Sequence, residues 1–274
     1  MFKVIAWNLA RREESWRFLA RTDADVALVQ EAAAPPQEVL QKVVVDSSPW
    51  KTEGAGRNRP WRTAVVKLSD RVNVEWFEAK AIVDAQPGGL GVSRLGTLAA
   101  ATVTPLSGSP VIVISMYAPW EEFHTATGST QIYADASVHR LISDLTVFIG
   151  HNHEHRIIAA GDLNILYGYG EHGSAYWASR YETVFARTAA LGLSFIGPQA
   201  PNGRCAEPWP KELPHTSKNV PTYYASHQNP MSATRQLDFV FASNSLAEQS
   251  SVRAINEPNE WGPSDHCQVE IMIA

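Results

Sequence analysis

Nine short apolar runs recur along the chain, most of them rich in β-branched residues. Several are apolar at nearly every position, which is typical of strands that are covered on both faces of a sheet. Runs of five to seven residues are too short for most buried helices, so they favour strands. The predicted strands cover residues 2–7, 26–30, 63–68, 97–103, 111–117, 157–161, 193–197, 237–243 and 268–273.

Four segments between these strands show helical spacing. In residues 15–21, Trp16 and Leu19 fall on one face, and a second short helix is expected after Pro35 and Pro36. Longer helices are predicted over residues 129–149 and 175–191. Because helices and strands are interleaved, the pattern predicts a mixed α/β fold.

Length and charge narrow the class of protein. The chain has 274 residues without a repeat or a Ser/Gly linker, so we expect a single domain over residues 1–274. It carries 23 Lys and Arg against 28 Asp and Glu, a net charge of −5. Non-specific coating of nucleic acid depends on Lys and Arg contacts to phosphates, so this balance argues against a coating protein. It leaves room for an enzyme that contacts phosphate through a metal ion.

No stretch approaches the ~18 apolar residues of a membrane span, and the apolar stretch at the N-terminus is too short for a secretory signal. The two cysteines, Cys205 and Cys267, lie far apart and fit no metal-binding spacing, so no disulfide framework is expected. We therefore expect a cytoplasmic protein without a membrane contact or an obligate protein partner.

Polar residues stand where several of the predicted strands end. Ligands of open α/β sheets bind where strands end and loops begin, so these side chains are expected to share one crevice. The set is rich in oxygen and free of thiols, which suits Mg²⁺ or Mn²⁺ better than zinc. Its members are Asn8, Glu31, Tyr117, Asp162, Asn164, Asp265 and His266.

Six short motifs in this order resemble the endonuclease/exonuclease/phosphatase superfamily, which includes exonuclease III-like repair endonucleases, DNase I-like nucleases, inositol polyphosphate 5-phosphatases and sphingomyelinases. Each string alone is a weak signal, but six in the family's order across nearly the whole chain form a strong one. The resemblance implies a four-layer α/β sandwich, with two mixed β-sheets face to face and helices outside. The motifs are VIAWN at 4–8, VALVQE at 26–31, SMYAP at 115–119, GDLN at 161–164, PTYY at 221–224 with RQLDFVFAS at 235–243, and SDH at 264–266.

The resemblance also implies a divalent metal site. Glu31 corresponds to the family's main metal carboxylate, and Asn8 and Asp265 would act through the same ion or its waters. A phosphodiester is anionic and repels a hydroxide nucleophile, so a divalent cation is needed to neutralise the charge that develops in the reaction. The implied cofactor is Mg²⁺ or Mn²⁺.

The remaining motif positions correspond to catalytic residues of the family. Asp162 would orient or deprotonate the attacking water, with Asn164 beside it holding phosphate or a second ion. His266 would contact the scissile phosphate, and Asp238 would fix its tautomer. Tyr117 matches the position at which repair-type members use Tyr as a phosphate ligand, whereas DNase I-like members tend to have His near it.

Two regions are candidate substrate contacts. One loop is locally basic and carries an aromatic residue, which suits phosphate contact and base stacking, although a solvated turn is an equal alternative. The irregular stretch from 197 to 220 is either a substrate-facing loop or a rigid surface excursion. The candidate contacts are Arg57, Arg59, Trp61 and Arg62 in the basic loop, Trp120 after the Tyr117 strand, and Tyr223 and Tyr224.

The sequence as a whole predicts a divalent-metal-dependent phosphodiesterase, and we expect a nuclease that hydrolyses DNA by in-line attack of water. One alternative is a phosphatase or phosphodiesterase of a small or lipid-linked substrate of the inositol phosphate or sphingomyelin type. The other is a catalytically silent binding module on the same fold.

Overall fold

The computed structural model describes residues 1–52, 59–122, 132–150 and 154–274. None of the helices in these ranges reaches the length and hydropathy that a membrane crossing requires. The helices are α1 (Glu13–Leu19), α2 (Gln37–Leu40), α3 (Asp135–Asp144), α4 (Ala175–Ala190) and α5 (Asn244–Ala247). The strands are β1 (Phe2–Asn8), β2 (Val26–Ala32), β3 (Val44–Val45), β4 (Arg62–Lys67), β5 (Val72–Trp76), β6 (Ala79–Ala81), β7 (Leu90–Val92), β8 (Leu98–Pro105), β9 (Val111–Tyr117), β10 (Glu121–Glu122), β11 (Ile132–Tyr133), β12 (Ile157–Asp162), β13 (Leu193–Gly197), β14 (Asp238–Ser243), β15 (Ser250–Ile255) and β16 (Gln268–Ile273).

Within the described ranges, twelve of these strands form two mixed sheets of six. The first has the order β15-β16-β1-β2-β4-β3 and the second the order β13-β14-β12-β9-β8-β5. Each contains one parallel pair at its centre, β1 with β2 in the first and β9 with β12 in the second, and its other pairs are antiparallel. The prediction of two mixed sheets is confirmed.

The core is divided into layers by these sheets. Their facing surfaces share one apolar cluster, to which Val4 and Leu28 contribute from the first sheet and Val113 and Ile158 from the second. The outer face of the first sheet packs on α1 and α2, and that of the second packs on α3 and α4. A sheet with two apolar faces must be covered on both faces. The four layers, with the two sheets in the middle and helices outside, bury both faces of each sheet.

All nine predicted strands are present, and the differences lie at the periphery. β5 and β15 were not predicted because they are edge strands whose residues alternate between buried and more exposed positions, which weakens the apolar signal. The helix predicted over 129–149 is shorter than expected. Ile132 and Tyr133 pair instead with β10, so α3 begins at Asp135, and a 3-10 turn continues it over Leu145–Phe148.

The parallel pairs determine where the polar residues lie. Asn8 ends β1 and pairs with Gln30 of β2, next to Glu31. The register between β2 and β4 shifts between Val29 and Ala32, a bulge of the kind that re-aims side chains beside active sites. In the second sheet, Asp162 ends β12. The carboxyl ends of both central pairs therefore meet at one edge of the sandwich.

Candidate active site

A cleft of about 220 Å³ opens at this edge of the sandwich. Seven of its lining residues are those singled out at the strand ends, so the predicted convergence is present in three dimensions. Trp120 and Tyr223, predicted as substrate contacts, also line it. The complete lining is Asn8, Ala10, Arg11, Glu31, Tyr117, Trp120, Asp162, Asn164, Tyr223, Arg235, Leu237, Asp265 and His266.

Asp162 lies at the centre of the hydrogen bonds in the cleft. Its Oδ2 accepts the side-chain amide of Asn8 at 2.9 Å and that of Asn164 at 3.2 Å. Its Oδ1 accepts the main-chain amide of Asn164 at 3.1 Å, and Asn164 itself has left-handed backbone with φ 51°. These donors hold the carboxylate in one orientation while leaving its other lone pairs directed at the cleft.

The environment of Asp162 favours its protonated form. Burial is the main cause, and the negative charges of Asp238 and Glu31 add to it, whereas His266 and the amide of Asn8 oppose it. Together they raise the pKa of Asp162 to about 7. A carboxyl group with such a pKa accepts a proton near neutral pH, as a general base must.

His266 and Asp238 form a buried pair behind the cleft. His266 Nδ1 lies 2.8 Å from Asp238 Oδ2, and His266 Nε2 lies 3.8 Å from Asp162 Oδ2. Burial lowers the pKa of His266, but the charges of Asp238 and Asp162 outweigh it and raise that pKa to about 10. Since Nδ1 is directed at Asp238, Nε2 is the nitrogen left to donate toward the cleft.

The main chain around this pair is fixed by buried hydroxyl groups. Thr222 Oγ1 accepts the main-chain amides of Leu237 and Asp238 at 3.0 and 3.1 Å. Ser264 Oγ donates to the carbonyl of Asn8 at 2.6 Å and accepts the amide of His266 at 3.2 Å. Ser264 thus links the end of β1 to the turn that carries Asp265 and His266.

Glu31 is held by two neighbours. Arg11 Nε lies 3.2 Å from Glu31 Oε2, and the hydroxyl group of Tyr117 donates to the same carboxylate. Burial, together with the charges of Glu31 and Asp162, raises the pKa of Tyr117 well above its usual value. Tyr117 is therefore a neutral hydrogen-bond donor at the cleft.

The donor set fits a hard divalent cation. Three carboxylates, Glu31, Asp162 and Asp265, line one small cleft, and oxygen ligands of this kind suit Mg²⁺ or Mn²⁺. An overlapping group of Asp162, Asp238 and His266, which shares Asp162 with the first set, brings one ligand atom of each within 4.8 Å of the others. In that group His266 and Asp238 already bond to each other, so we regard the cleft carboxylates as the better cage.

Aromatic rings flank the polar centre on two sides. Trp61 packs edge-on against Tyr117, with ring centroids 5.1 Å apart, and the guanidinium group of Arg59 lies 5.0 Å from the centroid of Trp61. On the other side, the ring of Tyr223 lies 4.9 Å from that of His266. Trp120 is 38% exposed, so its ring is available to a ligand.

The structure does not bring all the predicted contacts to the cleft. Arg62 is buried, bonded to Asp46 at 2.8 Å and positioned over the ring of Trp50, so it is a structural residue of the sheet edge. Tyr224 packs on Trp261 and donates to the carbonyl of Ser264, which places it behind the Asp265 turn. Arg59 and Trp61 do not line the cleft as described, and Trp61 is buried against Tyr117. Arg57 lies outside the described residues. No residue of the stretch 197–220 lines the cleft as described.

Two arginines in the cleft were missed by sequence reasoning. Arg11 follows the first motif, and Arg235 opens the RQLDFVFAS string and bonds to Glu171 with its Nη2 2.8 Å from Oε2. The signal for both was their position in the chain, since Arg11 lies three residues after Asn8 and Arg235 three residues before Asp238. Arginine is common on surfaces, however, and only the fold shows which arginine faces the cleft.

Comparisons with solved structures show the same architecture. The catalytic domain of Xenopus laevis APE2 gives a TM-score of 0.64 at 16% identity, covering 99% of this chain and 91% of that chain. An AP endonuclease from Archaeoglobus fulgidus gives 0.61 at 16% identity, covering 100% and 99%. The 3' phosphatase NExo from Neisseria, bound to a product DNA hairpin, gives 0.60 at 17% identity, covering 100% of both chains. At these identities the likeness is one of fold.

A search of curated proteins found no match. A sequence profile described as the Endonuclease/Exonuclease/phosphatase family, however, matches residues 5–266. The match begins in β1, ends at His266 and includes every polar residue described above. The chain therefore belongs to the Endonuclease/Exonuclease/phosphatase family.

Proposed function

We propose that this protein is a Mg²⁺- or Mn²⁺-dependent phosphodiesterase that hydrolyses DNA. The observation that carries the proposal is the convergence of Glu31, Asp162, Asp265 and His266 on one cleft, from three separate segments of the chain. Carboxylates of this density are mutually repulsive unless a cation lies among them. Membership of the family, which is metal-dependent, supports the same reading.

In this proposal Glu31, Asn8 and Asp265 hold the cation, which would supply charge neutralisation for the phosphate ester when bound. Asp162, oriented by Asn8 and Asn164, takes the proton of the attacking water.

The other side of the cleft supplies fixed donors. His266 Nε2 would donate to the phosphate oxygens, and Asp238 keeps the His266 ring in one orientation. The hydroxyl group of Tyr117, which donates to Glu31 in the metal-free chain, would contact phosphate after releasing that bond. Loss of one such preorganised donor costs about 10²–10³ in rate. We assign Asn164 to the phosphate as well, because its amide borders the cleft beside Asp162.

DNA is the proposed substrate for two reasons. The solved neighbours include AP endonucleases and a 3' phosphatase bound to DNA. The cleft is also lined by Trp120 and Tyr223, which suit base or sugar stacking beside phosphate contacts. A phosphatase of a small phosphomonoester is the second candidate, because the cleft is only about 220 Å³.

One assay distinguishes these candidates. The purified protein is given Mg²⁺ or Mn²⁺ with duplex DNA with and without an abasic site, single-stranded DNA and RNA, or phosphomonoesters and lipid headgroups. We expect cleavage of DNA phosphodiesters. Activity confined to the last group would overturn the nuclease assignment, and no cleavage together with no metal binding would favour the binding module.

Matched variants test the site itself. Glu31→Gln should lower the metal-dependent rate at least about 100-fold, and His266→Ala should lower it about 10²–10³-fold. Glu38→Gln is the control, because Glu38 bonds to Arg17 on the surface of the helical layer, 2.8 Å from its Nε. Normal turnover by Glu31→Gln and His266→Ala would refute the site assignment.

We further propose that residues 1–274 act as a single domain, because the cleft takes residues from β1 near the N-terminus and from the segment just before β16. The cytoplasmic location and the lack of an obligate protein partner stay predictions from the sequence.

A further inference from the structure

An ion pair at the edge of the cleft joins Arg11 to Glu31. Arg11 Nε lies 3.2 Å from Glu31 Oε2, and both residues line the cleft. The side chain of Arg11 is 60% exposed and that of Glu31 is 18% exposed. The carboxylate proposed as the main metal ligand is thus occupied by a guanidinium group that is itself free to move into solvent.

The backbone that brings Arg11 to Glu31 is strained. Ala10, Arg11 and Glu31 all have left-handed backbone, with φ values of 51°, 62° and 43°. This conformation costs an L-residue roughly 1–2 kcal/mol. It is maintained by hydrogen bonds from the Arg11 amide to the carbonyl of Glu31 and from the Ala10 amide to Asn8 Oδ1, each of 2.9 Å. Strained backbone that the surroundings hold in place is typical of functional sites.

We propose that Arg11 is a substrate-binding residue that bonds to Glu31 in the metal-free protein and moves to a phosphate oxygen of the substrate when a divalent cation binds at Glu31. The inference rests on the proposed function, since it needs both a cation and a phosphate ester in the cleft. It adds Arg11, which none of the six motifs contains, to the substrate-binding residues. It also gives an order of events, in which the cation binds at Glu31 and Arg11 then moves to the phosphate.

The physical argument is electrostatic. A carboxylate that carries a divalent cation no longer attracts a guanidinium group, because the two positive charges repel each other. Arg11 must then find another anion or extend into solvent. The planar fork of an arginine matches phosphate oxygens well, and a phosphate bound in the same cleft lies within reach of this side chain.

The proposal predicts effects of opposite sign on two ligands. Removing the guanidinium group removes a competitor of the metal, so metal binding becomes tighter. The same change removes a phosphate contact, so substrate binding becomes weaker. A purely structural Arg11 would instead weaken metal binding and substrate binding together when it is lost, because both depend on an intact cleft.

The first measurement needs no activity. Isothermal titration of Mn²⁺ into the full-length protein is carried out for the wild type, Arg11→Ala and Arg11→Gln, which keeps part of the aliphatic stem. A partly exposed ion pair is worth roughly 0.2–1 kcal/mol, so we expect the Kd for Mn²⁺ to fall about 1.4- to fivefold in both variants. Tighter binding cannot come from a misfolded variant.

The matched control is Arg17→Ala. Arg17 lies on α1 and bonds to Glu13 and Glu38, both at 2.8 Å, away from the cleft lining. The Arg17→Ala substitution removes the same charge and a comparable ion pair as Arg11→Ala. Because Arg17 does not line the cleft, the Kd for Mn²⁺ should stay at the wild-type value. An equal gain in this variant would assign the effect to net charge and overturn the proposal.

The second measurement is the KM for bis(p-nitrophenyl) phosphate at saturating Mn²⁺. A charge-assisted hydrogen bond to phosphate is worth about 1.5–3 kcal/mol, so Arg11→Ala should raise KM about tenfold or more. An unchanged or weaker Mn²⁺ affinity in both Arg11 variants, or an unchanged KM, would overturn the role of Arg11 while leaving the proposed function intact. A wild-type protein that binds no Mn²⁺ and cleaves no ester would refute the proposed function and this inference with it.

Discussion

The buried pair of His266 and Asp238 offers the sharpest test of the architecture. The side chains of His266 and Asp238 are only 5% and 3% exposed. His266 Nδ1 lies 2.8 Å from Asp238 Oδ2. We consider Asp238→Asn, which removes the negative charge but keeps an oxygen that can accept from Nδ1. The change leaves the imidazole buried beside Asp162 without its main counter-ion.

The size of the effect follows from this burial. Removing one partner of a buried ion pair costs about 3–5 kcal/mol, and the retained hydrogen bond places Asp238→Asn near the lower end. A loss of about 3 kcal/mol lowers the urea midpoint by roughly 1 M at a slope of about 3 kcal/mol/M. For comparison, Glu270→Gln breaks an ion pair with Lys3 in which both side chains are about a quarter exposed and the charged atoms lie 3.1 Å apart, and it should cost less than about 1 kcal/mol.

The assay is urea unfolding followed by tryptophan fluorescence, since the chain has nine tryptophans. A double-mutant cycle with His266→Gln isolates the interaction between the two side chains. We expect a coupling energy of at least about 1.5 kcal/mol, above the range of surface pairs. A coupling below about 0.5 kcal/mol would refute the reasoning, because it would mean that burial does not strengthen this pair.

Three further predictions concern the fold and its ligand. Gly161→Ala should abolish folding or cost more than about 3 kcal/mol, because a Cβ atom there would lie 1.9 Å from the carbonyl oxygen of Met116; an unchanged thermal midpoint would contradict the strand geometry. Addition of Mn²⁺ at about 100 times its Kd should stabilise the wild type by about 2.7 kcal/mol and raise its midpoint by several degrees, and Glu31→Gln should lose this shift in a thermal scan. Burial raises the pKa of Asp25, but hydrogen bonds from Ser69, the Lys3 amide and Arg71 outweigh it and lower that pKa. Its stabilisation is therefore present above about pH 4 and is lost as the pH falls through the lowered pKa, so the urea midpoints of wild type and Asp25→Asn should approach each other as the pH is lowered below about 4. A constant gap would contradict the assignment.

The strands at the centre of the fold were predictable because burial on both faces leaves a continuous apolar run in the sequence. β9 and β12 were predicted within a residue of their observed ends for this reason. The edge strands β5 and β15 were not, since each has a face that tolerates polar residues. The start of α3 was also misplaced, because the pairing of β11 with β10 is a tertiary contact that local propensity does not encode.

The residues of the candidate site could be predicted from the sequence where they stand at strand ends. Position in the chain gave Asn8, Glu31, Asp162 and His266, and the parallel pairing that brings such ends to one edge is a general property of these sheets. The resemblance to the family also implied that Asp238 fixes the tautomer of His266, and the structure has Asp238 Oδ2 2.8 Å from His266 Nδ1.

Only the tertiary structure decided which neighbours of those motifs face the cleft. Arg62 and Tyr224 carry suitable side chains but turn into the protein, whereas Arg11 and Arg235 face the cleft. The physical reason is that a strand or turn exposes its residues to opposite sides, so a difference of one position reverses the environment of a side chain. The contact between Arg11 and Glu31 joins residues twenty positions apart through left-handed backbone, and no local pattern in the sequence specifies it.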